Sequence, residues 1–228
     1  MQTPDTLKRV ATSTVEDYLK CIYQAQQGTA GLVATGHIAS TLMVAPGTVT
    51  AMMKTLTESG LTVYEPYSGV RLTSAGVKLA AHVLRRHRVV ELFLVKIMGM
   101  NWSEVHSDAE LLEHAISEQL LDRMDEMLGK PDVDPHGDPI PTPHGVMKAK
   151  EYPSLLQCPL QSPVKVARVT DQATAFLRLL EQQGVMPGNF IEVQSREEAA
   201  DTVMIRGEGK KSFSLGFRPA STILVDPE

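Results

Sequence analysis

The chain has few cysteines and no long apolar run, and both absences narrow its class. Its two cysteines, Cys21 and Cys158, cannot build a disulfide framework, and neither has a partner at the C-x-x-C spacing. No stretch approaches the roughly 18 consecutive apolar residues that a membrane helix needs. The first residues, MQTPDTLKRV, lack the apolar core of a secretory signal. We therefore expect a cytoplasmic protein with no membrane contact.

The sequence also lacks the motifs of several enzyme classes. It contains no HExxH, no G-x-S-x-G, no P-loop and no GxGxxG. A di-iron bundle needs Glu-x-x-His motifs on two helices, but Glu113 directly precedes His114 and Glu91 has no histidine three residues later. These absences argue against an enzyme.

What is present is an ordinary globular composition with an uneven distribution of charge. With 43% hydrophobic and 21% charged residues, the 228-residue chain predicts one to three folded domains. Residues 1–90 carry nine Lys and Arg against five acids, a net charge of +4. Residues 91–150 carry five against twelve, a net charge of −7. The basic segment suits contact with a polyanion and the acidic segment contact with cations.

The first third of the chain has the pattern of three helices and a β-hairpin. Ser13 and Glu16 form a capping box at the start of the first helix, and Ala45-Pro46-Gly47 marks a turn between the second and third. The predicted elements are helices at 13–27, 35–44 and 48–59 and a hairpin at 61–73. This order predicts a winged helix-turn-helix.

The third of these helices has an outer face that suits a DNA major groove. It carries Thr48, Thr50 and Lys54, which are small or cationic polar residues. We predict that these residues contact DNA. The alternative is a small α/β domain that binds another protein.

The remainder of the chain is predicted to be helical first and β-rich last. Long helices are expected at 74–99 and 106–128. Residues 130–163 hold eight of the fourteen prolines and read as a loop or linker. Short β-like runs with one inserted helix then predict a small barrel. The fold class is mainly α with a small β domain.

Histidines and carboxylates recur at helical spacing in the acidic segment. His106, Glu110, Glu113 and His114 fall on one helical arc, while His87 and Glu91 form an i,i+4 pair. Clustered carboxylates repel unless a cation neutralises them, and donors without thiolates favour Mn²⁺, Fe²⁺, Co²⁺ or Zn²⁺. The alternative is a solvated acidic face with surface histidines.

The sequence resembles the metal-dependent repressors typified by the diphtheria toxin repressor and the manganese transport regulators. The resemblance covers nearly the whole chain and rests on these motifs: EDYLKCIY, APGTVTAMMKTLTESGL, YSGVRLTSAG, RRHRVVELFL, VHSDAELLEH and DPHGDPIP. It implies a homodimeric, metal-activated repressor that binds a palindromic double-stranded DNA operator and controls metal homeostasis genes. It also implies a C-terminal SH3-like barrel. The implied domains are a winged helix-turn-helix at 1–74, a metal-binding and dimerisation domain at 75–145, a linker at 146–162 and the SH3-like domain at 163–228.

The resemblance also assigns metal ligands by motif position. The principal site would use Asp17, Glu110, Glu113 and His114. The ancillary site would use His87, Glu91 and His106.

This sequence departs from the family pattern at several of the ligand positions. Iron-type members have Met and Cys where this chain has Asp17 and Glu110, so Mn²⁺ is expected, with Fe²⁺ as the other candidate. Lys20 replaces a glutamate of the short manganese members. Ala173 and Phe176 stand where longer members have ligands in the third domain.

The functional prediction is therefore a metal-activated repressor without enzymatic activity. Two other classes stay open from the sequence. One is a metal-binding helical enzyme or storage protein without DNA-binding activity. The other is an adaptor whose winged helix binds protein.

Overall fold

The fold is mainly α with a C-terminal β-sheet, as predicted. A computed structural model describes residues 12–27, 31–148, 150–207, 209 and 211–227. They divide into two compact units: the first runs to Arg86 and includes Pro141–Met147, and the second comprises His87–Ile140 and the residues from Lys148 onward. Over these described ranges, no helix is both long enough and apolar enough to cross a lipid bilayer.

The first unit contains the predicted three helices and hairpin. They are α1 (Ser13–Gln27), α2 (Thr35–Thr41), α3 (Pro46–Glu58), β1 (Thr62–Glu65) and β2 (Gly69–Leu72). Helix α2 is shorter than predicted, and Met43 in the turn adopts a positive φ of 51°. Helix α3 begins earlier than predicted because Pro46 suits the first turn of a helix, where its missing N–H costs nothing.

The core of the first unit fixes the outward face of α3. Val49, Met53 and Leu56 are fully buried, so the opposite side of α3 faces solvent. Each such side chain contributes about 1.5–3 kcal/mol through burial. The hairpin is held to the chain before α2 by two hydrogen bonds between Val33 and Val70, of 2.8 and 2.9 Å.

Two glycines allow close approaches in this unit. A Cβ on Gly69, whose φ is +139°, would lie 2.6 Å from the carbonyl oxygen of Val33. A Cβ on Gly76 would lie 2.1 Å from the carbonyl oxygen of Leu61. Larger residues at either position would push the hairpin away from its neighbours.

Helix α4 (Ser74–Lys96) is the longest helix of the described chain and ends earlier than the predicted residue 99. Thr73 caps its start by accepting a hydrogen bond from the backbone N–H of Gly76 at 3.1 Å. Ala80, Ala81 and Leu84 belong to the core of the first unit. Val89 and Val90 belong to the core of the second.

The predicted single helix at 106–128 is wrong: it is two helices. Helix α5 (Val105–Leu112) is separated from α6 (Glu118–Met127) by a short turn. Ser117 is in an extended conformation and accepts a hydrogen bond from the backbone N–H of Leu120 at 3.2 Å. The serine is an N-cap that starts a new helix. The apolar periodicity continues across the break and hides it.

The C-terminal part is an antiparallel five-stranded sheet in the order β6-β5-β4-β3-β7. Its elements are β3 (Pro163–Val169), α7 (Thr174–Gln183), β4 (Phe190–Glu197), β5 (Thr202–Gly207), β6 (Ser212–Leu215), α8 (Phe217–Ser221) and β7 (Ile223–Asp226). Alternate residues of the strands, such as Val203 and Ile205, fill the core.

Part of the interval assigned to a linker from the sequence packs into this sheet domain. Leu155 is fully buried in its core, and its N–H donates to the carbonyl of Ile223 at 3.0 Å. Cys158 is buried beside it. A proline-rich composition does not distinguish a free linker from an ordered loop that packs on a sheet.

Candidate metal centre and nucleic-acid face

Helices α4 and α5 bring together the three residues of the expected ancillary site. His87 and Glu91 lie one turn apart on α4, and the His87 Nε2 to Glu91 Oε1 distance is 3.0 Å. His106, at the start of α5, places its Nδ1 3.1 Å from the same oxygen. The donor atoms of these three residues lie within 4.8 Å of one another, which suits one divalent cation.

Glu91 is the centre of this group and is almost completely buried. Burial opposes ionisation of its carboxyl, but hydrogen bonds from His106 and His87 and the neighbouring histidine charges outweigh burial. The pKa of Glu91 therefore lies below its ordinary value, and the group is a carboxylate ready to ligate.

Glu113 and His114 follow directly after α5, and they also lie together. Glu113 is the C-cap of α5 and retains helical backbone angles. Its carboxylate is fully buried, with Oε1 3.4 Å from His114 Nε2 and Oε2 2.6 Å from His87 Nδ1. Two of the expected principal ligands are thus in contact with each other.

The other two expected principal ligands occupy different surroundings. The Glu110 side chain is half exposed, and its Oε1 is 3.5 Å from His106 Nε2. Asp17 lies on α1 of the first unit and is half-buried. The predicted single arc therefore divides: Glu110 approaches His106, while Glu113 turns inward.

A third donor group was not predicted from the sequence. It comprises Glu91, Asp134 and His136, all buried. His136 Nδ1 is 3.9 Å from Glu91 Oε2 and 4.0 Å from Asp134 Oδ1, and within the described chain it has no hydrogen-bond partner. Its Nε2 lies 3.0 Å from the carbonyl oxygen of Trp102, on whose indole the ring stacks. An unpaired ring nitrogen facing two carboxylates suits a cation.

Sequence reasoning could not find this third group because Glu91 is far along the chain from Asp134 and His136. The only local signal is the Asp-Pro-His spacing in DPHGDP. The loop turns back on itself through Asp134 Oδ1, which accepts hydrogen bonds from the backbone N–H groups of His136 and Asp138. This turn places His136 beside Glu91, and helical periodicity plays no part in the contact.

Arg88 holds the loop of residues 134–139, called here the acidic loop, in place. Its guanidinium donates to the carbonyl of Pro139 at 2.5 Å and lies 3.6 Å from the carboxylates of Asp134 and Asp138. Burial of Asp134, followed by the charges of Asp138 and Glu91, raises its pKa well above the ordinary value despite Arg88.

The sheet domain reaches this loop through hydrogen bonds. Arg168 pairs with Asp138, and the amide of Gln172 donates to Asp138 at 2.9 Å. The side chain of Gln172 is therefore engaged in holding the loop at Asp138. Ala173 and Phe176 have no donor atoms in their side chains to offer a metal.

The residues expected to contact DNA all lie on α3, but they do not share one side of it. Thr48 and Lys54 are exposed, and Thr50 is half-buried. The Thr50 hydroxyl donates to the carbonyl of Pro46 at 3.1 Å, so it can offer an outside partner its lone pairs. Lys54 lies towards the solvent side of α3, whereas Thr48 and Thr50 flank the buried face of Val49 and Met53 on its two edges.

The chain matches known domain families over most of its length. Residues 11–70 match the iron-dependent repressor N-terminal DNA-binding domain. Residues 73–142 match the iron-dependent repressor metal-binding and dimerisation domain. Residues 154–227 match the FeoA domain, which corresponds to the predicted SH3-like domain.

Whole-length relatives give the same picture. The iron-dependent repressor IdeR of Mycobacterium tuberculosis is 30% identical over 229 aligned positions, covering 93% of this chain and 96% of that one. A solved manganese-dependent transcriptional repressor in complex with manganese is 34% identical, with a TM-score of 0.85, covering 94% of this chain and 100% of that one. The structure of ScaR with bound Zn²⁺ is 30% identical, with a TM-score of 0.75, covering 94% and 99%.

Proposed function

The chain belongs to the family of iron-dependent repressors, and on that basis we propose that it is a transcriptional repressor whose DNA binding requires a divalent cation. Membership of this family favours a repressor over an enzyme, a storage protein or an adaptor. The observation that carries the metal requirement is the donor group of His87, Glu91 and His106, of which His87 and Glu91 are buried. Such a concentration of ionisable groups is costly to bury without a cation.

We assign the principal site to Asp17, Glu110, Glu113 and His114 and the ancillary site to His87, Glu91 and His106. Their residue types support the assignment, since carboxylates and imidazoles are ligands for first-row divalent cations. A bound cation supplies positive charge that neutralises the carboxylates and holds their oxygens together.

We propose that Asp17 links DNA binding to metal. Asp17 belongs to α1, in the same unit as the recognition helix α3. Glu113 and His114 belong to the second unit. Shared ligation would restrict the positions that α1 can take and so favour the DNA-binding conformation, as a population shift.

Mn²⁺ is the proposed physiological cation. All seven assigned ligands offer oxygen or imidazole nitrogen, and none offers sulfur. Because intrinsic affinity for Mn²⁺ is the weakest in the divalent series, selectivity must come from geometry that permits DNA binding. The comparison that tests this is operator affinity with Mn²⁺ and with Fe²⁺ under anaerobic conditions at matched occupancy. We expect Mn²⁺ to activate at least as well, and activation by Fe²⁺ alone would contradict the proposal.

The proposed DNA complex is a dimer on a palindromic operator. Each α3 would enter a major groove, with Thr48 and Thr50 at base edges and Lys54 at a phosphate. The two-fold symmetry of a homodimer would be matched by two half-sites in the DNA. A repressor acts where the chromosome lies, so we place it in the cytoplasm.

Selection of duplexes from a random library by immobilised protein tests the function directly. With Mn²⁺ present we expect enrichment of a palindromic sequence that elutes when a chelator is added. Metal binding without any enriched duplex would support a storage protein or a helical enzyme instead. If the enriched duplex stays bound in chelator, the protein binds DNA without a metal requirement, which would contradict the proposed metal dependence.

A further inference from the structure

His87 touches both proposed metal sites. Its Nδ1 lies 2.6 Å from Oε2 of Glu113, which belongs to the principal site. Its Nε2 lies 3.0 Å from Oε1 of Glu91, which belongs to the ancillary site. All three side chains are buried, so water does not compete strongly for these contacts.

The two oxygens of Glu113 have different partners. Oε2 faces His87, while Oε1 lies 3.4 Å from His114 Nε2. Since a carboxylate oxygen only accepts, the contact at 2.6 Å requires a proton on Nδ1 of His87. Nε2 of His87 faces the carboxylate of Glu91 in the same way, at 3.0 Å. A cation bound to Nε2 would replace the proton there, and the proton on Nδ1 would stay with Glu113.

We propose that His87 is a positioning residue for the principal site as well as a ligand of the ancillary site. Its Nδ1–H group holds Glu113 Oε2 and so aims Glu113 Oε1 at the principal cation. The proposal rests on the metal-dependent function given above. Hydrogen bonds from outside the ligand shell typically change metal affinity by about 10–100-fold.

One hydrogen bond then couples the two sites. Ligation through Nε2 of His87 requires the proton on Nδ1, where it serves Glu113. Ligation through Glu113 Oε1 requires the carboxylate form, which accepts that proton's hydrogen bond. Each site therefore favours the arrangement that the other needs, and the coupling must be equal in both directions.

Substitutions at His87 can separate the hydrogen bond from ligation. An asparagine amide nitrogen occupies roughly the position of Nδ1, and a glutamine amide reaches roughly the position of Nε2. We would compare His87→Asn and His87→Gln, each combined with His106→Ala, which disables the ancillary site without touching Glu113. The reference is His106→Ala alone. His82→Gln on the same helix, outside the donor groups, controls for the change in side chain.

The readout is Mn²⁺ binding to the full chain without DNA, followed by the electron paramagnetic resonance signal of free Mn²⁺. With glutamine at position 87 we expect affinity about 10–100-fold below the His106→Ala reference. With asparagine we expect most of that loss to be recovered. Equal affinity of the two double variants, whether weak or strong, would overturn the positioning role while wild-type binding upheld the proposed function. A wild type that binds no Mn²⁺ would overturn both.

A second measurement does not depend on folding of the variants. Nitrogen-15 spectra of histidine-labelled wild type with Cd²⁺, a diamagnetic stand-in for Mn²⁺, report the tautomer of His87. We expect a proton on Nδ1. A proton on Nε2 would overturn the inference.

Discussion

Helix α3 and the helix pair α4–α5 use polar side chains in opposite ways. Helix α3 buries only apolar residues such as Val49 and Met53 and leaves Lys54 in solvent. Helices α4 and α5 direct His87 and Glu91 inward, together with Glu113 at the end of α5. An exposed lysine ammonium keeps its hydration, so it costs little free energy of folding and can bind the phosphates of a polyanion. Buried ionisable groups, in contrast, need a compensating charge. The contrast separates the surface that we propose to bind DNA from the interior that we propose to bind metal.

Removing Arg88 should have the largest effect, because it tests the buried side of the contrast. Arg88→Ala removes the buried guanidinium beside Asp134 and the donor to the Pro139 carbonyl, and it leaves Asp138 to Arg168 and Gln172. It should lower the free energy of unfolding by about 3–5 kcal/mol. Arg123→Ala, which breaks an exposed pair with Glu126 of 3.0 Å, should cost only about 0–1 kcal/mol. Denaturant titration in chelator measures the free energy of unfolding of both variants. Similar losses would mean that buried Arg88 stabilises the fold no more than an exposed ion pair does.

Removing a metal ligand should have the next largest effect, on DNA binding. Glu113→Gln removes a buried charge from the principal site, and we expect operator affinity in Mn²⁺ to fall by at least about 100-fold, beyond the usual effect of residues outside the ligand shell. Glu118→Gln, at an exposed position on α6, is the matched control. Unchanged operator affinity of the Glu113 variant would remove Glu113 from the site.

Thr48→Ala should change which sequences are bound. A base contact is worth about 1–3 kcal/mol of discrimination, so we expect altered preference at one position in each half-site and no change in salt dependence. Binding-site selection repeated with the variant measures this. If the preferred sequence stays the same, Thr48 does not read a base.

Lys54→Ala should have the smallest effect. The loss of one phosphate contact should weaken all sequences alike and reduce the slope of log K against log salt concentration by about 1. Lys165→Ala, at an exposed position on the C-terminal sheet, should leave the slope unchanged. A slope that is the same in both variants would place Lys54 away from the DNA.

The helices and hairpin around α3 can be predicted from the sequence, because caps, turns and strand alternation are signals from neighbouring residues. The helix predicted at 13–27 runs over Ser13–Gln27. The capping box predicted for it is wrong, because Thr12 accepts the capping hydrogen bond from Val15 and Glu16 pairs with Arg86. The turn at Pro46 and the alternation after Leu61 predict α3 and the hairpin. Each of these signals lies within a few residues of the structure that it specifies.

The buried side is only partly readable. Spacing groups His87 with Glu91, but it does not reveal that Glu113 reaches back to His87, because α5 ends before Glu113. Nor does it reveal His136, which the acidic loop carries to Glu91. These contacts depend on packing between segments that are distant in the sequence, and helical periodicity carries no information about them.

The central claim is that metal in the buried groups controls the exposed recognition helix. Fluorescence anisotropy of a selected operator duplex, titrated with the full chain, tests it in three steps: with chelator, after Mn²⁺ is restored, and with Glu113→Gln in Mn²⁺. We predict weak binding in chelator, tight binding by wild type once Mn²⁺ is restored, and weak binding by the variant. Equal affinity of wild type with and without metal would contradict the account.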